Sequence, residues 1–154
     1  MKYFKLFIGI IILVFSISCS NDQNHTPEPT APESLSNVVI TFEPDSSDSY
    51  NSYAYIKLEL SSEGTAISTI RLTLCCWIVE YGNYTYDKET VNTGALHISV
   101  NLGEYYDTGQ IISSQTLDRS DEYTLYFNTE KSGSYTYLFN GTISKGTFTI
   151  SDME

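Results

Sequence analysis

The chain has 154 residues, of which 41% are hydrophobic and only 18% are charged. That length fits one domain, and the apolar content is typical of a globular protein rather than a disordered one. Nineteen acidic residues against eight basic ones give a net charge of −11, which argues against binding to nucleic acid or to anionic lipid headgroups.

The first eighteen residues have the layout of an export signal. Met1–Lys5 is a short basic start, and Leu6–Phe15 is a run of ten residues without a charge. Such a run is too short to span a membrane as a finished helix, but it fits the apolar centre of a secretory signal. The small residues Ser16 and Ser18 then precede Cys19.

This arrangement resembles a bacterial lipoprotein signal, and Ser20, Asn21 and Asp22 after the cysteine resemble the surface-export signals of Bacteroides-type lipoproteins. The resemblance implies cleavage before Cys19, acylation of its sulfur and anchoring in the outer membrane, with the periplasmic and exterior faces both open. Ser16 stands where such signals usually have leucine. The alternative is a plain secretory signal with an incidental cysteine. Loss of residues 1–18 would leave six basic against nineteen acidic residues, a net charge of −13.

Ser20–Ser36 is predicted to be a flexible tether. It holds three of the four prolines, Pro27, Pro29 and Pro32, among Thr, Glu, Asn and Ser. This composition favours extended, polyproline-like chain, and at about 3.1 Å per residue the segment could reach about 50 Å. The predicted organisation is a signal peptide over 1–18, a lipidated cysteine with its tether over 19–36, and one domain over 37–154.

The domain has abundant strand signal and almost no helical signal. Apolar and polar residues alternate along several segments, as expected for strands with one buried face. The runs that alternate include 38–42, 56–60, 70–78, 96–102, 123–127 and 148–150. Asn140-Gly141 suits a tight hairpin turn. We therefore predict an all-β fold, an antiparallel meander of eight or nine strands.

A repeated pattern indicates how these strands are arranged. Gly82–Tyr86 and Gly133–Tyr137 share a Gly-x-Tyr-Thr-Tyr sequence, and each is followed by a polar turn and a glycine that opens the next run. Consecutive hairpins of this kind favour a meander that closes into a barrel and so removes its edges. The body resembles the small lipocalin-like, calycin-type barrels of bacterial lipoproteins. The alternative is an immunoglobulin-like sandwich, with Trp77 in a central strand and Tyr123 in a tyrosine corner.

The segment Ile70–Val79 is predicted to be one strand with two apolar faces. Leu74, Cys76 and Ile78 lie on one face, and Cys75, Trp77 and Val79 on the other. Leaving Trp77 in water would forgo the favourable free energy of burying its apolar surface. We therefore expect another part of the protein, or a partner, to pack over it. The candidates are the tether, the segment Gly103–Gln110 or a partner subunit.

Few residues in the domain could do chemistry. His97 is its only histidine, and Cys75 and Cys76 are its only thiols, which is too few for an ordinary zinc site. The two cysteines are interpreted as small core residues, with a vicinal or intermolecular disulfide as the alternative. The sequence therefore predicts a protein that is not an enzyme and that needs neither a metal nor a cofactor.

Tyrosine is the best candidate for binding. The mature chain keeps twelve tyrosines, and the speculative ligand-binding residues are Tyr84, Tyr86, Tyr135, Tyr137 and Trp77. Such rings suit stacking on sugars or contact with proteins, although cross-strand aromatic pairing that stabilises the sheet is the preferred explanation. We predict a non-catalytic envelope lipoprotein whose domain binds a glycan or a small apolar molecule. The first alternative is an accessory subunit of an envelope or adhesion assembly, and the second is an enzyme of unknown reaction.

We expect Cys19→Ser to release the protein from the membrane fraction and to abolish the mass increase that acylation causes. Cys76→Ser is the control, because it changes a cysteine outside the signal and should leave both properties unchanged. Cell fractionation and mass spectrometry measure the two properties. Unchanged membrane association of Cys19→Ser, with no mass difference, would contradict lipidation at this position.

Overall fold

Eight antiparallel strands form a closed barrel in the computed structural model, which describes residues 29–45, 53–72, 76–139 and 142–154. Each strand pairs with the next along the chain, and the last pairs with the first, from Val38–Asp152 to Pro44–Gly146. The strands are β1 (Val38–Pro44), β2 (Tyr53–Leu60), β3 (Thr65–Leu72), β4 (Trp77–Lys88), β5 (Thr93–Asp107), β6 (Gln110–Thr129), β7 (Ser132–Phe139) and β8 (Thr142–Asp152).

This order confirms the predicted all-β meander and its closure into a barrel. The immunoglobulin-like sandwich is wrong, because β8 returns to β1 and leaves one continuous sheet instead of two facing ones. No helix occurs among the described residues. The two sequence repeats correspond to hairpins, with Gly82–Tyr86 in β4 ahead of β5, and Gly133–Tyr137 in β7 ahead of β8.

The barrel is filled by side chains from every second position of each strand. Aromatic rings form its centre: the Phe42 ring centroid lies 4.8 Å from that of Tyr123 and 4.8 Å from that of Tyr135. A small barrel leaves an interior that such rings can fill, so most of this one is a core. The largest fully buried side chains are Phe42, Phe127, Phe148, Ile40, Leu58, Leu60, Leu96 and Leu125.

Two glycines of the repeats allow close approach in the wall. A Cβ atom at Gly133 would lie 1.9 Å from the carbonyl oxygen of Tyr126, and one at Gly146 would lie 2.1 Å from that of Glu43. Both distances are far below van der Waals contact, so any other residue would force neighbouring strands apart. The glycines that open the repeated hairpins therefore set the tight curvature of the barrel at β7 and β8.

The predicted single strand over Ile70–Val79 is wrong. β3 ends at Leu72 and β4 begins at Trp77, so Ile70 and Ile78 are cross-strand partners, and the Leu72 amide donates to the Cys76 carbonyl at 2.9 Å. Alternation continues in phase through the turn, and no glycine or proline marks that turn in the sequence. The predictions for Leu74 and Cys75 lie outside the described residues.

A bulge changes which residues of β5 face inward. Val100 pairs with Gly82, but Leu102 pairs with Tyr81 and Gly103 with Glu80, so one residue of β5 is extra. A bulge reverses the alternation beyond it. Leu102, expected on the inner face with Val100, therefore lies on the outer face, and Gly103 takes the inward position opposite Glu80.

Residues 29–37 close one end of the barrel, and we call this segment the end cap. Ala31 and Leu35 are buried and belong to the core. The Tyr84 hydroxyl donates to the carbonyls of Leu35 and Ser61, and the Tyr86 hydroxyl donates to that of Pro32 at 3.2 Å. The part of the predicted tether from Pro29 onward thus packs against the barrel.

Leu35→Ala should lower the free energy of unfolding by about 2 to 4 kcal/mol, because it empties a buried site beneath the end cap. Leu35 is 3% exposed. Leu138→Ala is the matched control: its side chain is 53% exposed, and the change should cost less than about 0.5 kcal/mol. Urea denaturation of both variants measures the difference, and equal midpoints would show that the end cap contributes no stability.

Candidate functional site

A cavity lined by both polar and apolar side chains lies inside the barrel, on the side away from the end cap. Its volume is about 200 Å³. Six strands, β2 to β7, supply its wall, so it occupies the barrel interior rather than the outer surface. The lining residues are Ile56, Ser68, Ile70, Ile78, Glu80, Tyr105, Arg119, Asp121, Tyr123 and Tyr137.

One arginine joins two buried carboxylates in this cavity. The Arg119 guanidinium binds Asp121 in a fork, with Nε 2.9 Å from Oδ1 and Nη2 2.7 Å from Oδ2, and Nη2 also lies 2.6 Å from Glu80 Oε2. Glu80 and Asp121 are each 4% exposed, whereas the Arg119 side chain is 29% exposed. Because two acids face one base, this cluster adds a net negative charge to the barrel interior.

Strand geometry explains why these three residues meet. Arg119 and Asp121 are two positions apart on β6, so both side chains point inward. Glu80 reaches them from β4, because β4 and β6 both pair with β5. Gly103, the inward residue of β5 opposite Glu80, has no side chain to intervene. A Cβ atom at Gly103 would lie 2.8 Å from Leu117 Cδ1, so the side chain of Leu117 covers this glycine.

Tyr137 extends the network to β7. Its hydroxyl donates to Asp121 Oδ1 at 3.0 Å, and its ring stacks on that of Tyr123 with centroids 4.5 Å apart. Burial, followed by the negative charge of Asp121, raises the pKa of Tyr137 well above its usual value. The phenol therefore stays protonated and serves as a donor across the physiological pH range.

Two hydroxyl groups in the cavity make no hydrogen bond to any described residue. Tyr123 is 4% exposed and Ser68 is 7% exposed, and both line the cavity. Burial and the nearby negative charges raise the pKa of Tyr123 well above 10, so its hydroxyl also stays protonated. Buried polar groups are nearly always hydrogen-bonded. These hydroxyls therefore offer bonding positions to a molecule inside the cavity.

The tyrosines singled out in the sequence have three different positions. Tyr137 lines the cavity, and Tyr135 is a core residue packed edge-on against Phe42. Tyr84 and Tyr86 hold the end cap at the other end of the barrel. The structure thus brings Tyr137 alone of these four to the cavity.

Trp77 lies on the outer face and is half-buried. Its ring stacks on that of Tyr106, with centroids 6.0 Å apart and planes 17° apart. Tyr106 belongs to the segment Gly103–Gln110, one of the three candidate covers. Cys19 lies outside the described residues.

The charged residues of the cavity were missed in the sequence, although a signal for them exists. The alternation that assigns Tyr123, Leu125 and Phe127 to the inner face, extended backward by two and four positions, also places Asp121 and Arg119 there. Glu80 had the same signal, since it lies two positions after Ile78 on the same predicted face, but the predicted strand Ile70–Val79 ended just before it.

The described residues give little support for other kinds of site. No group of three or more His, Cys, Asp or Glu side chains is placed to hold a metal within the described ranges. His97 is half-buried and pairs across strands with Glu122, and Cys76 is half-buried near the start of β4. In the part of the chain that the structure describes, no helix is long and apolar enough to cross a membrane.

Comparison of the chain with protein-family models, with curated proteins and with solved structures found no match. The resemblance to lipocalin-like barrels stays a prediction, and arguments about function depend on the cavity itself.

Arg119→Met should lower the free energy of unfolding by about 2 to 3 kcal/mol at neutral pH, because it leaves Glu80 and Asp121 buried without a cation. Because Arg119 is partly exposed to water, we expect a smaller loss than breaking a fully buried ion pair causes.

Arg71→Met is the matched control for this measurement. Arg71 is exposed, and its loss should cost less than about 0.5 kcal/mol. Urea denaturation at pH 7 separates the two variants. An Arg119→Met loss no larger than that of Arg71→Met would show that the ion pairs contribute no stability.

Proposed function

We propose that this protein is a non-catalytic, lipid-anchored envelope protein that binds a small polar molecule inside its barrel. The observation that carries the proposal is the cavity of about 200 Å³, in which two buried hydroxyls have no hydrogen-bond partner among the described residues and lie next to a charged cluster. The anchor is inferred from the resemblance of residues 1–19 to a lipoprotein signal.

The size of the cavity limits the ligand. A cavity of about 150 Å³ accepts benzene, so about 200 Å³ leaves room for one ring or a short chain. An oligosaccharide or a fatty acid is too large to be enclosed there. Half-buried Tyr105 and the 29% exposed side chain of Arg119 lie between the cavity and solvent, which places an entrance on their side.

The lining favours a polar ligand over the small apolar molecule expected from the sequence. An apolar occupant would leave the hydroxyls of Ser68 and Tyr123 without hydrogen bonds, at a cost of about 1 to 3 kcal/mol each. Ile56, Ile70 and Ile78 supply one apolar wall. A ligand with a polar end and a small carbon body matches both kinds of surface.

Binding, rather than catalysis, is also supported by the state of the acids. Glu80 and Asp121 are both ion-paired with Arg119, and Tyr137 already donates to Asp121. Ser68 has no histidine beside it among the residues that line the cavity, so no base is placed to activate its hydroxyl. The acids therefore take part in ion pairs that hold the cavity wall in place, and the arrangement suits binding of a ligand.

Ser68→Leu should abolish ligand binding, because it fills the cavity with a larger apolar side chain. We would measure the shift in melting temperature with a panel of ring-sized monosaccharides, aryl amines and aryl acids. Ligands that bind the native state raise its stability in proportion to the logarithm of their concentration over Kd. The control, Thr69→Leu, changes the neighbouring residue on the opposite face of β3 and should bind like the wild type.

Two results would contradict the proposal. One is a panel in which no compound stabilises the wild type at millimolar concentration. The other is a compound that stabilises the wild type and Ser68→Leu equally, since it would then bind outside the cavity.

A further inference from the structure

We propose that the ligand of this cavity carries a protonated nitrogen, as a small primary amine with a compact apolar body does. The inference rests on the proposed function and specifies the class of ligand. It is drawn from the charge and the hydrogen-bonding capacity of the cavity wall, which together distinguish a cation from a neutral sugar and from an acid.

Charge is the first argument. Glu80 and Asp121 face one cation among the described residues, Arg119, so the cluster keeps a net negative charge, and both acids are 4% exposed. A buried charge without compensation is costly. An ammonium group beside Glu80 would neutralise the cluster. A carboxylate would double the excess negative charge, a phosphate would raise it further, and a neutral polyol would leave it unchanged.

The available acceptors are the second argument. Asp121 already accepts three hydrogen bonds. Its Oδ1 accepts from Arg119 and from Tyr137, and its Oδ2 accepts from Arg119. Glu80 receives Arg119 at Oε2 alone among the described residues, so its Oε1 remains open. An ammonium group has three hydrogen-bond donors and no acceptor, so it can donate to this open carboxylate oxygen of Glu80.

The position of Ser68 is the third argument. Ser68 and Glu80 are direct cross-strand partners on β3 and β4, and their Cβ atoms are therefore about 4.5 to 5.5 Å apart. Both side chains line the cavity, as does the Tyr123 hydroxyl. One nitrogen between these strands can donate to the Glu80 carboxylate and to the Ser68 oxygen, with Tyr123 as a third acceptor.

The apolar wall defines the rest of the ligand. Ile56, Ile70 and Ile78 are register partners across β2, β3 and β4, so they form one continuous row inside the barrel. This row adjoins the pair Ser68–Glu80 on the same two strands. A molecule whose nitrogen meets Glu80 therefore lays its carbon body along the isoleucine row, which has room for one ring.

Three probes of similar shape and different charge test whether the ligand is a cation. Benzylamine, benzyl alcohol and benzoate are titrated into the full protein by calorimetry at pH 7. We expect benzylamine to bind about tenfold or more tightly than benzyl alcohol, and benzoate to give no heat of binding. Glucose is included as a neutral polyol of similar volume.

Two glutamate variants assign the effect to one carboxylate. Glu80→Gln keeps the shape and removes the charge, and it should weaken benzylamine about tenfold or more while leaving benzyl alcohol unchanged. Glu122→Gln is the matched control, because Glu122 is exposed on the outer face of β6 beside Asp121. It removes the same net charge from the protein and should leave both affinities as they are.

The outcomes separate this inference from the proposed function. Equal binding of amine and alcohol, or a preference for glucose that Ser68→Leu abolishes, would overturn the cationic class and keep the binding function. Binding of none of the four probes, with the cavity holding water only, would overturn both. A benzylamine affinity that Glu80→Gln and Glu122→Gln reduce equally would show attraction to the acidic surface and contradict the site.

Discussion

The ion pairs of Arg119 are the constraint on which the interior of this barrel depends. The Arg119 guanidinium forms a fork with Asp121 and also contacts Glu80, so one cation holds both buried carboxylates. The same contacts fix β4 and β6 at one separation across β5 and hold Tyr137 in place. Packing below the cluster is aromatic and apolar, so the polar residues mark a boundary between a filled half and a hollow half.

The two ends of the barrel differ in structure, because one is closed by the end cap and the other contains the cavity. Toward the end cap, Tyr84 and Tyr86 use their hydroxyls to bind the backbone of residues 29–37, and Leu35 enters the core. On the other side, Tyr123 and Ser68 keep their hydroxyls open to the cavity. Tyrosine thus closes one end and lines the other. With the proposed anchor at Cys19, the chain would reach the barrel at its capped end, and the cavity would face away from the membrane.

Local pattern determined most of the architecture. Period-two alternation assigned the inner residues of β1, β2, β6 and β8, and the Gly-x-Tyr-Thr-Tyr repeats located two hairpins, because side-chain alternation and turn chemistry are properties of neighbouring residues. The same pattern failed over Ile70–Val79, where alternation passes in phase through a turn, and at Leu102, where a bulge reverses it. Both failures concern pairing between strands, which no single strand records.

By itself, then, the sequence determined the all-β class and the meander, and it contains the features that resemble an export signal, all of which depend on short-range composition and spacing. Only the tertiary structure decided that Glu80, Arg119 and Asp121 share one cavity. It also decided that Tyr84 and Tyr86 bind the end cap, whereas Tyr137 lines the cavity. Glu80 and Arg119 are 39 residues apart in the chain, and their contact depends on the register of β4 and β6 against β5. A register shift of one residue would turn a charged side chain to the opposite face, so the site exists only once the barrel has closed.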